Sequence, residues 1–157
     1  MSDARWMQDC VREFHVATGN PAPKKLALDD VRLELRAKLI LEEAIETAEA
    51  MGFDIEVHHQ GTGGHQTHLV KRRSPDWPEV VDGLCDLTYV TLGVAVEMGL
   101  ELLPFFHAVH HSNMKKIGGP VREDGKSLKP PGWKPPPIKY LLDRLITKER
   151  GGNGDEQ

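Results

Sequence analysis

Two acidic clusters sit where a helical chain of this size should keep its dry interior. Glu42, Glu43 and Glu46 form an E-E-x-x-E segment; Glu79, Asp82 and Asp86 follow as E-x-x-D-x-x-x-D. Each cluster lies inside an apolar stretch with helical periodicity. Residues three and four apart share one helix face, so Glu43 points with Glu46, and Glu79 with Asp82. Buried carboxylates repel one another and lose hydration, which a purely structural core would avoid. A hard divalent cation relieves the conflict, because it prefers oxygen ligands and offsets their charge. The spacing therefore predicts two facing helices that share a cation site suited to phosphate chemistry. Glu43, Glu46, Glu79 and Asp82 are the candidate ligands. Glu42, turned by about 100° around the helix axis, is placed to hold a water as a general base. Asp86, one turn beyond Asp82, is either an added ligand or a group that supports one.

The remaining pattern is helical too. Helix one is expected from Asp3 to Thr18, with Trp6, Cys10, Phe14 and Ala17 on its apolar face and Gly19-Asn20-Pro21 as its stop. Asp29 or Asp30 can cap helix two, whose stripe is Leu33, Ala37, Ile40, Leu41, Ala44 and Ala48 and whose stop is Gly52. Asp76 and Pro78 open helix three, and Gly99 closes it. Its apolar residues occupy more than one face, so it should be central and covered on several sides. Helix four is expected over Glu101–Lys116, and a short fifth helix over Ile138–Lys148. Glu56 to Ser74 breaks the pattern and reads as a mobile loop, with His58, His59, His65 and His68 among glycines and Lys71-Arg72-Arg73 at its end. Residues 121–137 are rich in Gly, Pro and Lys and should be irregular. No segment alternates convincingly with period two. The expected fold is all-α, a four-to-five-helix bundle forming one domain over residues 1–148, with a flexible tail over 149–157.

Charge and composition narrow the partners. A net charge of −4 with acids and bases intermixed argues against a nucleic-acid polymer or a membrane surface. Cys10 and Cys85 read as buried free thiols of a reducing compartment. No apolar run is long enough to span a bilayer, so cytoplasmic residence is expected. A di-iron carboxylate bundle would need Glu-x-x-His on two helices, which the acidic helices lack. All-oxygen ligands favour Mg²⁺, with Mn²⁺ as a substitute, over iron or zinc. The glycine-flanked histidines read as solvated rather than zinc-bound. Lys71-Arg72-Arg73 reads as a solvated charge run, or as a group that approaches a triphosphate if the loop folds over. Glu49 and Glu97 read as solvated surface positions.

The ordered series of motifs resembles a known family. Glu42-Glu43-Ala44-Ile45-Glu46 followed by Glu79-Val80-Val81-Asp82 is similar to the E-E-x-x-E … E-x-x-D pattern of MazG-like nucleotide pyrophosphohydrolases. These belong to the all-α NTP pyrophosphohydrolase superfamily, with the dimeric dUTPases and the phosphoribosyl-ATP pyrophosphohydrolases. The stretch from Asp86 to Gly93, the segment His111-Ser112-Asn113-Met114-Lys115-Lys116, and the loop Asp124-Gly125-Lys126 … Lys129-Pro130-Pro131-Gly132-Trp133 resemble its downstream segments. The motif separation is longer than the simplest pattern, and Asp86 offers a competing register.

The resemblance implies Mg²⁺-dependent hydrolysis of a nucleoside triphosphate between the α and β phosphates, giving the monophosphate and pyrophosphate. It implies dUTP or a non-canonical dNTP as substrate and a homodimer or homotetramer as the assembly. Glu43, Glu46, Glu79 and Asp82 would hold Mg²⁺, and Glu42 would activate water. Asn113 could read a base or ribose, and Lys116 could meet a phosphate. Lys126 and Lys129 are further candidates for phosphate contact; Trp133 either stacks on a base or packs on the bundle. The alternatives are a phosphoribosyl-ATP pyrophosphohydrolase and a non-catalytic, metal-stabilised nucleotide-binding scaffold.

Overall fold

A computed structural model describes residues 3–60 and 64–151, with side chains over 5–56 and 67–148. Among these residues the elements run α1 (Asp3–Ala17), a 3₁₀ turn (Leu28–Asp30), α2 (Leu33–Ala50), β1 (Phe53–Gln60), β2 (Gly64–Lys71), α3 (Trp77–Glu97), α4 (Leu103–Met114) and α5 (Ile138–Gly151). The architecture is the expected all-α bundle, with one small addition. No helix among the described residues is long and apolar enough to cross a membrane.

The addition is a two-stranded antiparallel ribbon where a loop was expected. Phe53 pairs with Lys71, Ile55 with Leu69 and Val57 with Thr67. Phe53, Ile55 and Val57 alternate with Asp54, Glu56 and His58, a short period-two signal that the histidines and glycines obscure. The turn residues, 61–63, and the side chains of His58, His59 and His65 lie outside the described residues. The basic run is exposed, as expected, and each of its three side chains has a partner at the end of α2 or on β1. Lys71 Nζ donates to Met51 O at 2.6 Å, Arg73 Nη2 donates to Glu49 O at 2.9 Å, and Arg72 Nε pairs with Asp54 at 3.0 Å. Cations thus meet the last carbonyls of α2, where the helix dipole favours them.

Helix starts follow local chemistry in one case and tertiary chemistry in another. At α3 the Asp76 carboxylate accepts from the Glu79 N–H, with Pro78 in the first turn, as expected. At α2 the expected caps Asp29 and Asp30 fall in the 3₁₀ turn, and the helix starts after Arg32 with no side-chain cap. Its position is set instead by Glu97, which accepts from the Arg32 backbone N–H at 3.4 Å and from Nε at 2.9 Å. Helix four is shorter than expected at both ends, and α5 runs through Gly151. The rest of the expected tail lies outside the described residues.

Glu97 corrects the sequence reading most sharply. Its side chain is fully buried and pairs with both Arg32 and Arg36, the latter at 2.7 Å. Arg36 Nη2 also lies 3.2 Å from His15 Nε2, and His15 Nδ1 lies 2.9 Å from Pro21 O. That pattern has Nδ1 donating to the carbonyl and Nε2 accepting from Arg36. Burial alone would raise the Glu97 carboxyl, but hydrogen bonds from Arg36 and Arg32 outweigh it and hold it at about 2. Gly93 leaves room for the cluster: a Cβ there would stand 2.8 Å from Arg36 Nη1.

This polar network joins α1, α2 and α3, beside a small apolar core of Val11, Val80, Ala95, Val96, Leu100 and Phe105. The face of α1 that it buries carries Gln8, Val11 and His15, not the expected stripe. Trp6 and Phe14 stay exposed, as do Leu33 and Leu41 of α2. Helix three is covered mainly over its C-terminal half; Val81, Leu84 and Tyr89 are exposed. Cys85 is also exposed and Cys10 half-buried, both free, so the expectation of two buried thiols fails.

Candidate active site

Helices α2 and α3 lie side by side, joined at one end by the ribbon. They pack tightly at Thr47 and Gly83. A Cβ on Gly83 would stand 2.6 Å from Thr47 Oγ1 and 3.2 Å from Thr47 Cα. The Thr47 hydroxyl is turned along its own helix, donating to Glu43 O at 2.6 Å. One turn from this contact, α2 carries Glu43 and α3 carries Asp86; Asp82 is next to Gly83 itself. A threonine that bonds backward and a glycine without a side chain let the two acidic faces close up.

The electrostatics record that closure. Partial burial raises the Glu43 carboxyl above its ordinary value, and the charges of Asp86, Glu46, Glu42 and Asp82 push it further, in that order. Glu43 therefore feels the charges of Glu42 and Glu46 on its own helix and of Asp82 and Asp86 across the α2–α3 seam. Asp86, ambiguous in the sequence, contributes most among the neighbouring charges that raise Glu43. Glu79 is not among them; it stands in the first turn of α3, exposed. None of these six carboxylates forms an ion pair with a basic side chain among the described residues.

This donor set fits a hard cation in chemistry: oxygen ligands only, uncompensated charge, one carboxyl already resisting ionisation. The side chains as they stand do not close on an ion, since among the described residues no three His, Cys, Asp or Glu groups converge as ligands. All but Glu43 are exposed, so their rotamers are not fixed by packing.

The other candidates form separate groups. At the end of α4, Lys116 Nζ donates to Asn113 Oδ1 at 2.8 Å. Lys129 and Lys116 lie over the Trp133 ring, at 4.6 Å and 5.6 Å from its centroid. Trp133 is fixed by its Nε1, which donates to Ser112 O at 3.0 Å, while Ser112 Oγ donates to Lys134 O. So the indole packs on α4 and carries two ammonium groups on its ring, a platform suited to an anion or a flat base. Lys126 stands apart, in the Val121↔Ser127 turn, with its side chain exposed. Among the described residues no hydrogen bond or ion pair joins either group to the acidic cluster. Sequence reasoning missed Thr47 and Gly83; their signal was a small polar residue and a glycine, each one turn from an acidic residue inside a helical pattern.

A family model for phosphoribosyl-ATP pyrophosphohydrolases matches residues 11–113, which include both acidic motifs and the α2–α3 seam. The chain belongs to that family. The phosphoribosyl-ATP pyrophosphohydrolase family is a branch of the all-α NTP pyrophosphohydrolase superfamily, and membership supports a nucleotide pyrophosphohydrolase activity. No curated protein matches the chain. The matched region stops at Asn113, and Lys116, Lys126, Lys129 and Trp133 lie outside it.

Proposed function

We propose that this family member is a Mg²⁺-dependent, MazG-like nucleoside triphosphate pyrophosphohydrolase. It would cleave between the α and β phosphates of dUTP or a non-canonical dNTP and release the monophosphate and pyrophosphate. The observation that carries the reading is the uncompensated carboxylate cluster centred on Glu43 across the α2–α3 seam. Glu43, Glu46, Asp82 and Asp86 would hold the ion, with Glu79 joining from the first turn of α3. Mg²⁺ (or Mn²⁺), when bound, supplies charge neutralisation and polarisation of the phosphoryl oxygens. Glu42, exposed beside the cluster, would accept the proton of the attacking water as the new P–O bond forms and the bridging oxygen leaves with pyrophosphate. Asn113, Lys116 and Trp133 would bind the nucleotide; Lys129 would add charge to the same platform.

The exposed apolar faces of α1, α2 and α3, with Trp6, Phe14, Leu41, Ile45, Val81 and Leu84, support a homodimer or a dimer of dimers. Such an assembly is also the simplest way for the α4 platform to serve an acidic cluster that it does not touch.

Phosphoribosyl-ATP is the second reading, favoured by the family description itself. The test is a panel of nucleoside triphosphates and phosphoribosyl-ATP with Mg²⁺, products followed by phosphorus NMR. Pyrophosphate released from a dNTP supports the first reading. Turnover of phosphoribosyl-ATP alone reverses the order, and orthophosphate release defeats the proposed bond choice.

A further inference from the structure

Beyond the acidic cluster, toward the C-terminal end of α3, the surface charge reverses. A cavity of about 750 Å³ opens between α1, the α3–α4 connection and α5. Gly99 on its wall lies roughly 20 Å along the α3 direction from Asp86, at about 1.5 Å per residue. The rim carries Arg5, Arg12, Lys24, Arg144 and Lys148 against two acids, Asp9 and Glu101. The floor is apolar, with Leu100, Phe105 and Leu145.

These cations are arranged, not scattered. Arg144 and Lys148 are four apart and share one face of α5; Arg5 and Arg12 are seven apart on α1. Arg5 pairs with Glu101 at 3.0 Å. Arg12 Nη1 is held by the Pro23 carbonyl at 3.0 Å and lies 3.4 Å from that of Ala22. Lys24, Arg144 and Lys148 have no ion pair among the described residues. The back wall is fixed as well. The Gln8 amide donates to Leu100 O at 2.6 Å and accepts from the Leu102 N–H at 3.1 Å. Gly99, at φ +63°, turns the chain where a Cβ would meet Lys25 O.

Like charges lining one cavity with an apolar floor are relieved by an anion with a flat, weakly polar body. Guanidinium forks suit phosphate oxygens, and the volume is in the range of small-molecule pockets. We propose that this cavity is a second ligand site that takes a nucleoside phosphate, phosphates on Arg12, Lys24, Arg144 and Lys148, and base on the apolar floor. This site needs no metal and stands whether or not the acidic cluster is catalytic.

Titration calorimetry with ADP in EDTA tests it, because the cation-free acidic cluster repels phosphates. Saturable binding is expected, weakened by about tenfold or more in Arg144→Glu/Lys148→Glu and separately in Lys24→Glu. Glu43→Gln/Glu46→Gln should bind ADP as the wild type does. Inorganic pyrophosphate should bind more weakly than ADP, since it leaves the floor unused. Absence of binding by the wild type, unchanged binding by both charge-reversed variants, or loss of binding in the acidic-site variant would overturn the site. Pyrophosphate binding as tight as ADP would overturn the nucleoside assignment.

Discussion

Thr47 and Gly83 set the distance between the two acidic helices. The space a Gly83 side chain would need is already filled by the Thr47 hydroxyl, 2.6 Å from the position of a Cβ. Gly83→Ala should therefore spread the carboxylates while adding up to about 1 kcal/mol of helix propensity. Activity is expected to fall by about tenfold or more, since misplacing reacting groups by an ångström is costly. Thr47→Ala removes the clashing oxygen, so the double variant should regain part of the loss. Steady-state kinetics on the three variants checks this, and a fully active Gly83→Ala enzyme would show that the seam is not the site.

Glu43 should link metal binding to pH. Its folded-state carboxyl titrates above the ordinary 4.5, so the folded protein holds this proton more tightly than the unfolded chain. The group favours folding at low pH, and that contribution is lost as pH rises through the raised value. At neutral pH the metal-free protein should gain stability on adding Mg²⁺, and the gain should fade as the carboxylates protonate toward about pH 4. Glu43→Gln should raise the metal-free Tm and shrink the Mg²⁺-dependent shift. Thermal melts across pH, with and without Mg²⁺, measure both.

Glu46→Ala and Glu42→Gln separate catalysis from scaffolding. Both positions are exposed, and both changes remove like-charge repulsion. Folding should survive in each while turnover falls, by about a hundredfold for a lost general base at Glu42. Circular dichroism and product assays together decide; unfolding of Glu46→Ala would instead favour a structural metal.

Glu97 should behave in the opposite way. Its pairing with Arg32 and Arg36 stabilises the fold fully above the ordinary 4.5, and this is lost as pH falls through about 2. Glu97→Ala leaves two arginines without their shared partner and should cost about 3–5 kcal/mol, read from urea unfolding. A loss near zero would mean that the network rearranges without strain.

The α4 platform predicts a change in binding. Lys116→Ala removes a cation from the Trp133 ring and a donor from Asn113. KM for the triphosphate should rise by about tenfold, with kcat little changed. An unaltered KM would assign the platform to packing alone.

What the sequence reveals about this fold depends on how far apart the cooperating residues are. Asp76 with Pro78, and Gly52 and Gly99 after α2 and α3, are local signals, and the helices obey them. The acidic cluster is legible because its members recur at helical spacing within two segments. Glu97 is not, because its partners lie 65 and 61 residues earlier and no local pattern marks it as buried. Buried polar side chains also account for the misread faces of α1 and α2. The chain spends its interior on Gln8, His15, Arg36 and Thr47, and leaves Trp6, Phe14 and Leu41 outside. The ribbon was hidden because only Phe53, Ile55 and Val57 carry its alternation.

The ribbon leaves α2 and returns to the same carbonyl: Gly52 O accepts from the N–H of Arg72 at 2.9 Å. Its limbs therefore begin and end at one pinch point, and its length is decoupled from the register of the helices it connects. Insertions or deletions between those limbs would leave Thr47 opposite Gly83. Relatives with very different gaps between their acidic motifs can then share one catalytic geometry, and a search that insists on a fixed gap would overlook them.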